Sequence, residues 1–242
     1  LCPGRKDSVM VDDIRRNVYE IREQIEAAAE AGGRSPHDIK LMGVSKYHPL
    51  EMMLEASQFV DLLGENKVQE AQSKRLGWPA DNKTPLHLIG HLQRNKARKA
   101  LETFDVIESV DTLDLARVLD RILAESEASA YPIFIEVNTS GELTKSGVEP
   151  EYAESLAENI AKYCPRLSVE GLMTIGPNTD DSASVRAAFV VLRGLAESVR
   201  KNTGLKIPEL SMGMSGDFKI AIEEGSTIVR VGTAIFGKRE YK

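Results

Sequence analysis

The sequence predicts an α/β protein, a single (β/α)8 TIM-type barrel with an extra N-terminal helix. Three observations carry that reading. Eight short apolar runs recur along the chain, nearly every one is followed by a stretch of helical periodicity, and little sequence follows the eighth run. Eight such units in 242 residues fit a closed barrel better than an open doubly wound sheet, which has fewer strands. No linker, low-complexity tract or shift in composition divides the chain, so residues 1–242 read as one domain. Residues 1–7, which open with LCPGR rather than Met, read as a disordered or expression-derived start.

The first element is a helix over 8–31. Val11, Ile14, Val18, Ile21, Ile25 and Ala28 fall at spacings of three and four, Asp7 or Ser8 suits its cap, and Gly32-Gly33 ends it. It is placed to close the ring. Strands are expected at 39–45, 61–64, 86–90, 106–110, 132–137, 167–175, 209–212 and 228–236. Helices are expected at 49–59, 112–125, 150–163, 183–201 and 217–224, with Pro49 and Pro150 at first helical positions.

Composition narrows the function classes. Hydrophobic residues make up 42% and charged ones 28%, an ordinary soluble profile, and a net charge of −6 argues against nucleic-acid binding. No apolar run approaches a membrane span, and no secretory signal is visible, so the expected location is the cytoplasm. Cys2 and Cys164 have neither a disulfide pattern nor metal-ligand spacing and read as free thiols. His37, His87 and His91 lack partner spacing, so no metal site is expected. The basic run Arg94, Lys96, Arg98 and Lys99 reads as a solvated helix face.

In a barrel, chemistry gathers where strands end and loops begin. There the sequence places Lys46, Glu65, Asn66, His91, Asp111, Glu136, Asn138, the stretch Met214-Ser215-Gly216-Asp217, Arg230 and Gly232-Thr233. Lys46 follows Met42 and Val44 on one face of the first strand. It is either a lysine reaching solvent or a desolvated amine able to condense with an aldehyde. The turns around Ser215 and Gly232-Thr233, the latter placed in strand eight, are either ordinary turns with a capping serine or a phosphate site. Arg230 sits in a strand buried on both faces, so it needs acceptors: a carboxylate such as Glu136 or Glu65, or a ligand atom in the barrel mouth. An amine, a phosphate clamp and an internal arginine suit a phosphorylated aldehyde. Pyridoxal 5′-phosphate and sugar phosphates both qualify at this point.

With these residues assembled, the chain resembles the pyridoxal phosphate homeostasis protein family, whose members are similar to the amino-terminal barrel of alanine racemase. The segments that carry the resemblance are LMGVSKYHP (41–49), GENKVQEA (64–71), LHLIGHLQRNK (86–96), SVDTLDLA (109–116), IEVNTSGELTKSGVEP (135–150), EGLMTIGP (170–177), LSMGMSGDF (210–218) and VRVGTAIFG (229–237). The resemblance implies that Lys46 carries pyridoxal 5′-phosphate as a covalent aldimine. It further implies that Ser215, the backbone around Met214, and Gly232-Thr233 hold the phosphate, that Asn66 lies beside the ring, and that Arg230 stands near the pyridine nitrogen. An arginine there disfavours ring protonation and makes the cofactor a poorer electron sink.

Racemases take a second base from a further, β-rich domain, and no such domain is visible in this sequence. Tyr47, nearest to Lys46, is expected to point away. The resemblance therefore implies a non-catalytic, monomeric protein that buffers pyridoxal phosphate or delivers it to apo-enzymes. The alternative is a pyridoxal phosphate-dependent, racemase-like enzyme. A more remote one is an aldolase-like barrel acting on sugar phosphates.

Overall fold

The computed structural model of the chain describes residues 4–125, 130–142 and 144–237. Eight parallel strands close a barrel in sequence order: β1 (Lys40–Val44), β2 (Leu62–Glu65), β3 (Leu86–Leu88), β4 (Val106–Val110), β5 (Tyr131–Glu136), β6 (Leu167–Met173), β7 (Glu209–Met214) and β8 (Ile228–Val231). Closure is made by β8 against β1, with Lys40 opposite Ile228 and Met42 opposite Arg230. Parallel neighbours require crossovers, and these supply α2 (Leu50–Ala56), α3 (Val68–Arg75), α4 (Ala97–Thr103), α5 (Leu113–Ala124), α6 (Pro150–Tyr163), α7 (Ser182–Thr203) and α8 (Phe218–Glu223). Among the described residues the first helix is α1 (Gly4–Ala31) and the last is the single turn α9 (Thr233–Phe236).

Because α9 is so short, α1 completes the outer ring. It packs against α2, α8 and α9, as its stripe predicts. Ile14, Val18, Ile21 and Ile25 are each at most 5% exposed, and each is worth about 1.5–3 kcal/mol of apolar burial. The core has two layers. One large cluster joins the outer faces of the strands to the helices. A smaller one of Met42, Val44, Leu62, Ile89, Phe134, Met173 and Ile228 fills the barrel interior, as strand alternation dictates.

Two glycines shape the mouth. A Cβ at Gly90 would lie 2.3 Å from the Asn66 carbonyl oxygen, so the loops after β2 and β3 touch only because Gly90 has none. Gly213 has a φ of +94°, and a Cβ there would meet that of Ala221 at 2.5 Å.

Several expectations need correction. The run 228–236 is not one strand: β8 ends at Val231, and Gly232-Thr233 opens α9. At four residues α9 is too short to show a helical period in the sequence. Pro49 is the cap of α2, whereas Pro150 does occupy the first turn of α6. The first helix begins at Gly4, before the expected Asp7 or Ser8 cap. The sequence does not mark α3, which buries only Val68, Ala71 and Lys74, and it marks α4 only by its basic face, because α4 buries two alanines and a threonine. The basic run around α4 is a solvated face: Arg94, Arg98 and Lys99 are exposed, Lys96 is half-buried, and Arg98 pairs with Glu125 at 2.7 Å. Cys164 is a buried free thiol, while Cys2 lies outside the described residues.

Candidate functional site

Strand β1 stops where its ladder with β2 reaches Val44 opposite Gly64. The chain then turns over Ser45–His48, closed by the His48 N–H donating to the Ser45 carbonyl at 3.1 Å. Lys46 is therefore a half-buried turn residue and not the buried end of a strand. Tyr47, at the next position, has a φ of +67°, where a side chain costs about 1–2 kcal/mol. Its ring is exposed and lies near the Lys67 ammonium.

Lys46 lies on the wall of a cavity of about 250 Å³ at the C-terminal end of the strands. Asn66, Met214, Ser215, Arg230, Gly232 and Thr233 line the same cavity, so the topology brings together all seven residues singled out in the sequence. His48, Ile89 and Ile175 also line it and were not foreseen. For His48 a signal existed, its place two residues after Lys46. Its ring stacks on that of Phe236 with centroids 5.2 Å apart.

The turn after β7 differs in detail from expectation. Ser215 does not cap α8; Asp217 occupies the cap position, and its carboxylate instead accepts from the Met214 N–H at 2.5 Å. With the Met214 N–H taken, the turn still lines the cavity with Met214, Ser215 and Gly216. Across from it, α9 begins at Thr233, with the Ile235 and Phe236 N–H groups donating to the Gly232 carbonyl at 2.9 Å.

Arg230 is 3% exposed, and it meets neither Glu136 nor Glu65 in an ion pair. It donates to Ser211 Oγ at 2.8 Å and to the Thr174 carbonyl at 2.7 Å. Behind it, Ser211 Oγ donates to Glu108 Oε2 at 2.6 Å, and His87 Nδ1 meets Glu108 Oε1 at 2.6 Å. Burial draws the Arg230 pKa down, and the charges of Glu108, Asp217 and Glu136 oppose that shift. The carboxylate that serves the arginine is thus Glu108, reached through a serine. Glu65 is held by Lys74 instead.

Two buried oxygens beside the site, Asn66 Oδ1 and Glu136 Oε2, have no hydrogen-bond partner among the described residues. Burial pushes the Glu136 carboxyl up to about 7; Asp111 adds to the shift and Arg230 opposes it. An ordinary glutamate titrates near 4.5, so between 4.5 and about 7 the folded protein binds more protons here than the unfolded chain. The stabilisation is full below 4.5 and lost as pH rises through about 7. Glu136→Gln is expected to flatten that decline. Denaturant titrations across the window check it, and parallel profiles for the two proteins would contradict it.

Among the described residues no group of three His, Cys, Asp or Glu side chains converges as a metal site. His87 is a core histidine, and His91 lies on the surface with Nδ1 3.7 Å from Asp111. No described helix is long and apolar enough to cross a membrane.

The model of the alanine racemase N-terminal domain family matches residues 9–240. A Vibrio cholerae protein named pyridoxal phosphate homeostasis protein is 42% identical over 235 residues, spanning 94% of this chain and 97% of its own. The Escherichia coli K12 protein of the same name is 40% identical over 245 residues, spanning 96% and 99%. Among solved structures, PipY of Synechococcus elongatus with PLP bound matches with a TM-score of 0.76 at 35% identity, covering 88% of this chain and all of that one.

Proposed function

Because this chain belongs to the family of pyridoxal phosphate homeostasis proteins, we propose that it binds pyridoxal 5′-phosphate without turning over a substrate, and buffers the cofactor or delivers it to apo-enzymes in the cytoplasm. The observation that carries the reading is the convergence of Lys46, Arg230, Ser215 and Thr233 on one cavity. That donor set fits the cofactor's groups. The Lys46 amine condenses with the aldehyde carbon, forming a C=N bond and releasing one water, so that the cofactor is held as an aldimine of Lys46. Ser215, Gly216, Gly232 and Thr233 supply hydroxyl and backbone donors for the phosphate, and Asn66 borders the ring. Two of the Arg230 N–H donors go to Ser211 and Thr174, which leaves others for the pyridine nitrogen. A guanidinium at that nitrogen disfavours its protonation, so the site suits storage of the cofactor better than stabilisation of a carbanion.

The test is transfer. Loaded protein mixed with an apo-form pyridoxal phosphate enzyme is expected to restore that enzyme's activity while losing its own cofactor, and to leave L-alanine unracemised. Formation of D-alanine by the pure protein, abolished by Lys46→Ala, would establish the racemase-like alternative.

A further inference from the structure

Beside the Lys46 turn, β2 and α3 bring three charged side chains together. Lys74 of α3 is 8% exposed, and a lysine that buried needs partners. It donates to Glu65 Oε1 at 2.6 Å, to Glu70 Oε1 at 2.9 Å and to the Ser45 carbonyl at 2.9 Å. The same Glu65 oxygen accepts from Ser45 Oγ at 2.6 Å, and the same Glu70 oxygen accepts from the Tyr47 N–H at 2.6 Å. The residues on either side of Lys46 are thus tied to one buried ion cluster. Tyr47 holds the left-handed backbone conformation that glycine normally takes, so the turn sits in a shape its own sequence disfavours and an outside restraint must maintain.

We propose that Lys74, with Glu65 and Glu70, positions Lys46, holding Ser45 and Tyr47 so that the turn presents the Lys46 amine to the cavity before the cofactor arrives. Lys74 is a positioning residue and not a second attachment site, because its three acceptors occupy the ammonium. The proposal rests on the reading that Lys46 takes the cofactor aldehyde.

Two variants and a conservative control test it. Glu70→Ala removes the acceptor of the Tyr47 N–H at a partly exposed site, and Glu70→Gln retains a carbonyl there. Lys74→Met combined with Glu65→Gln removes both buried charges together, which preserves folding better than stranding either one. Each protein is titrated with pyridoxal 5′-phosphate, reduced with borohydride and mapped by peptide mass, with circular dichroism and thermal melting confirming the fold. Glu70→Ala and the double variant are expected to need about ten-fold more cofactor to label Lys46, with Glu70→Gln close to the parent protein. A merely structural cluster would shift melting and leave labelling unchanged. Equal labelling of Lys46 in the parent and both folded variants, or label on Lys74, would overturn the proposal. A parent protein that takes no label on Lys46 would instead defeat the reading beneath it.

Discussion

Glu108→Leu is expected to destabilise the protein by about 3–5 kcal/mol, the cost of stranding a buried charge. Glu108 is fully buried in β4, and it joins His87 to Ser211 and, through Ser211, to Arg230. Leucine has a similar volume, so packing survives while the counter-charge goes. Arg230 then keeps only neutral acceptors, the Ser211 hydroxyl and the Thr174 carbonyl, in an environment that penalises its charge by burial. Denaturant unfolding at constant m-value measures the loss. Adding Arg230→Leu removes both charges, and most of the stability should return; the single and double variants would then differ by a coupling energy. Equal stabilities for Glu108→Leu and the parent would mean that Asp217 and Glu136 alone compensate the guanidinium. The same variant should weaken cofactor retention, because Arg230 loses the partner that orients Ser211 against it.

The barrel was legible because its evidence repeats: the change from apolar run to helical period recurs around the ring, and strong stripes such as that of α1 leave no alternative face. Where the signal is weak the reading failed for a physical reason. Helix α3 turns a lysine inward, and α9 is a single turn, too short to show a helical period. The cavity residues were legible because anomalies mark them: a lysine after an apolar strand, an arginine inside one, a glycine-bearing turn before a helix. Their support was not. Nothing in VIESV singles out Glu108, and nothing in QEAQSKR singles out Lys74. Only closure of the barrel sets Glu108 beside Ser211, or Lys74 beside the turn at Ser45. The expected partners of Arg230 were wrong on the same account. A strand-end carboxylate is easy to nominate from sequence, whereas a bond relayed through a serine is set by the register of three strands.

Lys46→Ala is expected to have the largest effect on cofactor binding and a small one on the fold. Lys46 is half-buried in a turn after β1, so the stability change should stay under about 1 kcal/mol. The covalent link, by contrast, should vanish altogether. Arg230, Ser215 and Thr233 would remain to bind the cofactor non-covalently and more weakly. Loss of the adduct in a protein that melts like its parent could not be ascribed to unfolding.

The most direct measurement is therefore the mass of the purified protein after incubation with pyridoxal 5′-phosphate and reduction with borohydride, with the modified peptide mapped. The account predicts one phosphopyridoxyl group on the parent chain, located on Lys46, and none on Lys46→Ala. No mass gain on the parent, or an equal gain on Lys46→Ala, would contradict it.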